Sequence, residues 1–193
     1  MLVQLGSGAL LGVDTYPIHI EVDVAKGAQY FMVGLPDIAV RESWKRMETA
    51  IRAVGARMPR QRIVINLAPA DQRKQGAGFD LPMAVGILAA SGQVPAEALA
   101  GHWFIGELAL DGRLRPVPGA LSVAVAAREN GAIGLVVPRA NAREAALAEG
   151  LTVLERIEGR RASELRRAYK LALELIVLNH NGNNGESVAD LTI

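Results

Sequence analysis

The sequence contains no cysteine, which removes disulfides, thiol nucleophiles and cysteine-ligated zinc together. Aromatic residues make up only 4% of the 193 residues, so the core is expected to be aliphatic and the surface poor in the rings on which unpaired bases stack. Charges nearly cancel, at a formal net +1. That balance supplies no general attraction to phosphate backbones or anionic lipid and confines any such affinity to local groups. No apolar run reaches the roughly 20 residues needed to span a bilayer. Met1-Leu2-Val3-Gln4 is not a basic leader into a long apolar stretch, so a cytoplasmic chain without a membrane partner is expected. His19, His102 and His180 are far apart and lack the spacing that puts two ligands on one helix face, so no metal site is expected. The Gly-x-x-x-x-Gly-Lys-Ser/Thr phosphate loop is also missing, and with it the backbone cradle and lysine that would hold a nucleotide.

What remains is the composition of a folded domain, 50% hydrophobic and 21% charged. One domain is expected over residues 1–178, followed by a mobile polar tail over 179–193, where Asn, Gly and Ser dominate. From Ile18 to Val24 apolar and polar residues alternate, which predicts a strand with one wet face. Leu2–Leu11 and Tyr30–Val33 flank it through glycine-containing turns, predicting a small antiparallel sheet at the start. Asp37 is placed to cap a helix carrying Val40, Trp44, Met47, Ile51 and Val54 at helical steps. Arg62–Leu67 reads as a buried strand. Asp80 is expected to cap an almost wholly apolar central helix, Leu81–Ser91. Asp111-Gly112 marks a hairpin between Trp103–Leu110 and Arg113–Pro116. Further helices are expected over Gly119–Glu129, after a cap at Asn141, and from Ser163 to about Val177, with strands at Ile133–Val137 and Val153–Ile157. Mixed antiparallel and crossover connections predict a two-layer α+β domain.

Several stretches occur in a telling order: Gly34-Leu35-Pro36-Asp37, then Asn66-Leu67-Ala68-Pro69-Ala70-Asp71 running to Gly78-Phe79-Asp80-Leu81-Pro82, then Gly106-Glu107-Leu108 running to Arg115-Pro116-Val117, and Val137-Pro138-Arg139-Ala140-Asn141. Together they closely resemble the N-terminal domain of the magnesium-chelatase-like ATPases of the YifB/ComM family, over about Val3 to Tyr169. The resemblance implies a Lon-protease-like domain, of the superfamily shared with the RadA C-terminal domain and the GHMP kinases. It implies an AAA+ module in cis or in trans as partner. ATP and Mg belong to the full-length family, as does hexameric assembly, and no cofactor is expected in this chain. It also implies that Gly76 stands where Lon carries its serine, and Leu121 and Val123 where it carries its lysine. A Ser-Lys mechanism needs both groups, so no catalytic residue is expected.

Two groups of residues are candidates for binding. Gly76, Ala77 and Gly78 precede a helix and could offer backbone amides to an anion, although Asp80 would compete for the same amides. Arg57, Arg60, Arg62, Arg73 and Lys74 cluster in sequence and could form one basic edge for weak DNA binding, the alternative being a solvated charged face. Trp44 and Trp103 fall on expected core faces, an assembly interface being the alternative for such large aromatics. The expected function is a non-catalytic accessory domain supporting ring assembly or DNA handling in ATP-driven DNA remodelling, such as branch migration, recombination or transformation. A stand-alone anion-binding protein using the Gly76–Gly78 loop is the alternative, and a peptidase using Ser91 or Ser122 a remote one.

Overall fold

The computed structural model of the protein describes residues 1–12, 14–156 and 177–179. In chain order the strands are Leu2–Leu11 (β1), Asp14–Ala25 (β2), Tyr30–Val33 (β3), Arg62–Ala68 (β4), His102–Phe104 (β5), Glu107–Leu108 (β6), Leu114–Arg115 (β7), Gly134–Val136 (β8), Thr152–Arg156 (β9) and Val177–Asn179 (β10). The helices are Ile38–Ala53 (α1), Asp80–Ala90 (α2), Ala120–Glu129 (α3) and Ala142–Ala145 (α4).

β1 and β2 form a long antiparallel pair in which Val3, Leu5 and Ser7 lie opposite Val22, Ile20 and Ile18, all on one buried face. Their alternation follows the two-residue period of a strand. β3 does not join β2, as a small antiparallel opening sheet would require. It runs parallel to β4, which lies antiparallel against β2. One mixed sheet results, in the order β10-β9-β8-β5-β1-β2-β4-β3.

The expected long hairpin is divided. Trp103 and Phe104 belong to β5, which runs parallel between β1 and β8, and only β6 and β7 pair across the Asp111-Gly112 turn. Trp103 and Phe104 are both buried, and a strand apolar on both faces is accommodated in the sheet interior and not in an exposed hairpin.

Successive residues of the central strands enter different cores. Phe104 and Val136 pack with the inward face of β1 and β2 and with α1 and α2, whereas Trp103, Leu135, Val137 and Val153 pack with α3 and α4. Because neighbouring side chains on a strand point to opposite faces, α1 and α2 cover one face of the sheet and α3 and α4 the other. The two-layer expectation is therefore corrected: helices lie on both sides of a mixed sheet, within the α+β description. The helix expected from Ser163 and the polar tail fall almost wholly outside the described residues. Of them, Val177 and Asn179 are described, and they pair with β9 as part of β10.

Close approach between layers depends on glycine at two places. The Trp103 indole occupies the space beside Gly6, where a Cβ would lie 2.3 Å from its Cδ1. Gly86 lets α2 settle on β2, since a Cβ there would lie 2.6 Å from Val22 Cγ2. Two effects oppose each other at Gly86→Ala. Alanine gains about 1 kcal/mol in helix propensity, but the β-branched Val22 is stiff and overpacking costs about 1–3 kcal/mol. Net destabilisation is expected, read as a lower urea midpoint. A midpoint equal to or above the parent's would show that the layers are not in tight contact there.

Candidate functional site

The motifs singled out in the sequence converge on one end of the sheet, where the loops after β3 and β4 meet the start of α2 and the β6–β7 hairpin. The Gly34–Asp37 turn crosses over β4 so closely that a Cβ on Gly34 would lie 2.1 Å from Leu67 O. Gly34 has φ 95°, and Leu35, at φ 54°, is the one non-glycine residue with positive φ among the described residues. A leucine in that region is strained and is held by its neighbours: Lys74 N–H donates to Leu35 O at 3.2 Å, and Asp37 N–H to Lys74 O at 3.0 Å.

Asp37 caps α1 as expected, its Oδ1 accepting from Val40 N at 2.7 Å. Its other oxygen accepts from Gly76 N at 3.2 Å. The first amide of the Gly76–Gly78 loop is thus already turned to an anion, and that anion is the Asp37 carboxylate.

Asp80 does not cap α2. Its side chain is fully buried and its oxygens accept three hydrogen bonds from elsewhere: Arg46 Nε at 2.7 Å, Arg46 Nη2 at 2.9 Å and Leu108 N at 3.1 Å. Arg46 Nη2 also donates to Ala39 O at 3.0 Å. Two backbone bonds run alongside, Leu81 N to Gly106 O at 3.0 Å and Gly106 N to Gly78 O at 2.9 Å. Removal from water pushes the Asp80 carboxyl above its ordinary range, and the guanidinium and the Leu108 N–H oppose that push. The same pairing raises Arg46. A buried carboxylate costs several kcal/mol unless paired and fully hydrogen-bonded, so the bidentate fork is favoured over helix capping. Arg46 carries one local signal of this role: it sits at helical steps from the buried Ser43 and Ala50, on the margin of the stripe that α1 buries.

Lys74 is also corrected. It is fully buried, and its ammonium donates to Pro69 O and, at 2.7 Å, to Gln72 O, so the loop folds around it. Burial pulls its pKa down. It is not part of an exposed basic edge, and its four companions do not share one role either. Arg62 pairs with Asp23 at 3.3 Å, while Arg57 and Arg60 line a groove beside α1. Arg73 is exposed in the loop closed by Lys74.

Asn141, expected to cap α4, instead clamps the backbone of Val117, accepting from its N–H at 3.0 Å and donating to its O at 2.7 Å. Glu144 accepts from Leu121 N at 3.2 Å, which supplies an acceptor at the start of α3, whose preceding Gly119 has no side chain to offer. The loop before α2 and the segment before α3 meet here, since a Cβ on Gly78 would lie 3.8 Å from Val117 Cγ1. No hydroxyl or amine side chain stands at Gly76, Leu121 or Val123, and Val123 packs against Gly8 of β1. Ser91 Oγ donates to Leu88 O and accepts from Gln93 Nε2, so it is engaged at the end of α2.

A model of the family described as subunit ChlI of Mg-chelatase matches residues 20–141. The chain is 43% identical over 174 residues to the uncharacterized protein YifB of Salmonella typhimurium, a match covering 85% of this chain and 34% of that protein. It is 45% identical over 143 residues to YifB of Escherichia coli, covering 74% and 28%. To the competence protein ComM of Haemophilus influenzae it is 36% identical over 193 residues, covering 96% and 37%. The chain spans about a third of the length of the curated relatives it matches.

Replacing Arg46 with Met leaves the Asp80 carboxylate buried without its counter-charge, and a loss of about 3–5 kcal/mol is expected at neutral pH. The sign of the pH dependence follows from proton binding. Without Arg46 the folded-state pKa of Asp80 rises further above the unfolded value, so the folded state holds a proton over a wider range and its stability falls as pH rises. The deficit relative to the parent should therefore be smaller near pH 5 than at pH 7, measured by urea unfolding at both. A deficit independent of pH would mean that removing Arg46 leaves the protonation of Asp80 unchanged over that range. Lys74→Met, which strands two carbonyls, is expected to cost about 1–3 kcal/mol.

Proposed function

The chain belongs to the magnesium-chelatase-like family that includes YifB and ComM, and from that premise we propose that it is a non-catalytic accessory domain of a longer ATP-driven machine. Its contribution is to ring assembly or DNA handling during DNA remodelling, in line with the competence role named for ComM. On this reading the scaffold is Lon-like and the chemistry has gone. ATP and magnesium are the business of the remaining two-thirds of the relatives' length, an AAA+ module in cis or in trans, with a homo-oligomeric ring as the assembly.

The observation that supports the reading is the state of the convergent loops. Three of their charged groups hold the protein together: Asp37 binds Val40 and Gly76, Lys74 binds backbone carbonyls, and Asp80 binds Arg46 and Leu108. A nucleophile needs a base within hydrogen-bond reach, and the positions that correspond to Lon's pair carry Gly76, Leu121 and Val123. A free-standing anion-binding role is disfavoured because a carboxylate of the chain itself already takes the Gly76 amide.

The purified chain is expected to hydrolyse neither casein, nor small peptide esters, nor ATP. Turnover that survives rigorous purification and disappears on Ser91→Ala or Ser122→Ala would overturn the non-catalytic assignment. Mixed with the remaining part of a full-length relative, the chain is expected to change the sedimentation or the DNA-stimulated ATPase rate of that part. No change in either would remove the accessory role.

A further inference from the structure

Outside the convergent loops, one surface combines features that the structure itself leaves unexplained. Beside α1, an open groove of about 820 Å³ is lined by Trp44, Arg52, Arg57, Met58, Pro59 and Arg60, with Glu48 at its side. It continues into a second depression of about 270 Å³ that shares Trp44, Pro59 and Arg60 and adds Tyr30. Trp44 packs against the core as expected but is only half-buried, and its indole stacks on the Tyr30 ring at a centroid distance of 3.7 Å and an interplanar angle of 25°. The Tyr30 hydroxyl is buried and has no hydrogen-bond partner among the described residues. Such a group is rare in a settled core and calls for an explanation.

Arg52 pairs with Glu48 at 2.7 Å, but the exposed Arg57 and Arg60 guanidinia have no ion-pair or hydrogen-bond partner among the described residues. Their loop is nonetheless fixed. Gln93, just after α2, accepts from Arg57 N at 3.0 Å and donates to Arg57 O at 2.7 Å, and Ala56 N–H donates to Ile51 O at 2.9 Å. The backbone that carries Arg57 is therefore fixed before any ligand arrives, which lowers the ordering cost of binding to that of the side chains.

We propose that this groove binds single-stranded nucleic acid, with a base against the Trp44 indole and phosphates on Arg57 and Arg60. The assignment rests on the DNA-handling half of the reading above and names the surface that carries it. Planar guanidinia suit phosphate oxygens, and a half-exposed ring backed by a second ring is a platform for an unstacked base. An acidic peptide would use the arginines and leave the ring idle. A duplex keeps its bases stacked on each other. A free mononucleotide has the right chemistry, but two adjoining depressions exceed one nucleotide and neither is enclosed.

The test uses fluorescence anisotropy of a labelled short oligothymidylate at low salt, with the intrinsic tryptophan signal read in parallel. Trp103 is buried at 6% exposure, so quenching reports Trp44. The parent is expected to bind the oligothymidylate more tightly than a duplex of equal length or thymidine monophosphate, with quenching that Trp44→Phe abolishes. Arg57→Ala/Arg60→Ala is expected to weaken binding about tenfold and to flatten the salt slope by about 1.4, two phosphates at about 0.7 each on a single strand. Arg139→Ala/Arg143→Ala removes the same charge from exposed positions at the other helical layer and should bind like the parent.

If the parent binds and the Arg57/Arg60 variant binds equally well, the groove assignment fails while DNA handling survives on another surface. If the parent binds no DNA at low salt, both the groove and DNA handling by this chain fall, leaving assembly. Duplex binding as tight as single-strand binding, quenching unaffected by Trp44→Phe, or displacement by polyglutamate as effective as by oligothymidylate would each overturn the base-stacking recognition. Tighter binding of the monophosphate than of the oligomer would replace the strand with a free nucleotide.

Discussion

The Asp80 carboxylate, fully buried and held by the Arg46 fork and the Leu108 amide, is the constraint around which this end of the molecule is built. It joins three elements that share no sheet register: α1 supplies the cation, α2 the anion, and the β6–β7 hairpin the third donor. Burying an unpaired carboxylate is expensive enough to unfold a marginal domain, so these elements assemble together. Beside that knot, Gly106 ties the Gly78–Leu81 turn to the strand before the hairpin, accepting from Leu81 N and donating to Gly78 O.

The same economy describes the polar groups of the convergent loops. A site that acts on a substrate keeps polar groups available or poised at shifted pKa values. Here Asp80 and Lys74 are shifted mainly by burial, and each is engaged with partners from the chain itself. Asp37 and Asn141 likewise use both ends of their side chains on backbone groups. What such an arrangement delivers is a rigid frame, and the strained Leu35 is part of the frame's tension.

Against that frame the groove beside α1 stands apart. Few aromatic residues exclude a broad stacking surface, but two of the few rings meet at one place, and two arginines without partners flank them. Near-zero net charge excludes general attraction to nucleic acid and does not exclude two neighbouring unpaired cations. Composition constrains the average surface, and a groove is a local departure from the average.

The sequence by itself determined the local features. The alternation of β2, the capping of α1 by Asp37 and the all-apolar α2 were legible, because each depends on spacing within a few residues, and the family resemblance was legible in the order of short motifs along the chain. The absence of cysteine and of a phosphate loop was equally plain. Only the tertiary structure decided which long-range partner each polar group takes. Asp80 was read as a cap, because a carboxylate before a helix has free amides within reach; it turns instead to Arg46, 34 residues away in sequence. Lys74 was read as surface, because lysine usually is; its loop closes over it. Trp103 was read into a hairpin, because the Asp111-Gly112 turn is a strong local signal; β1 and β8 claim it for the main sheet. In each case a local preference of about 1 kcal/mol was set against burial or pairing worth several, and the larger contribution exists only once distant segments are in contact.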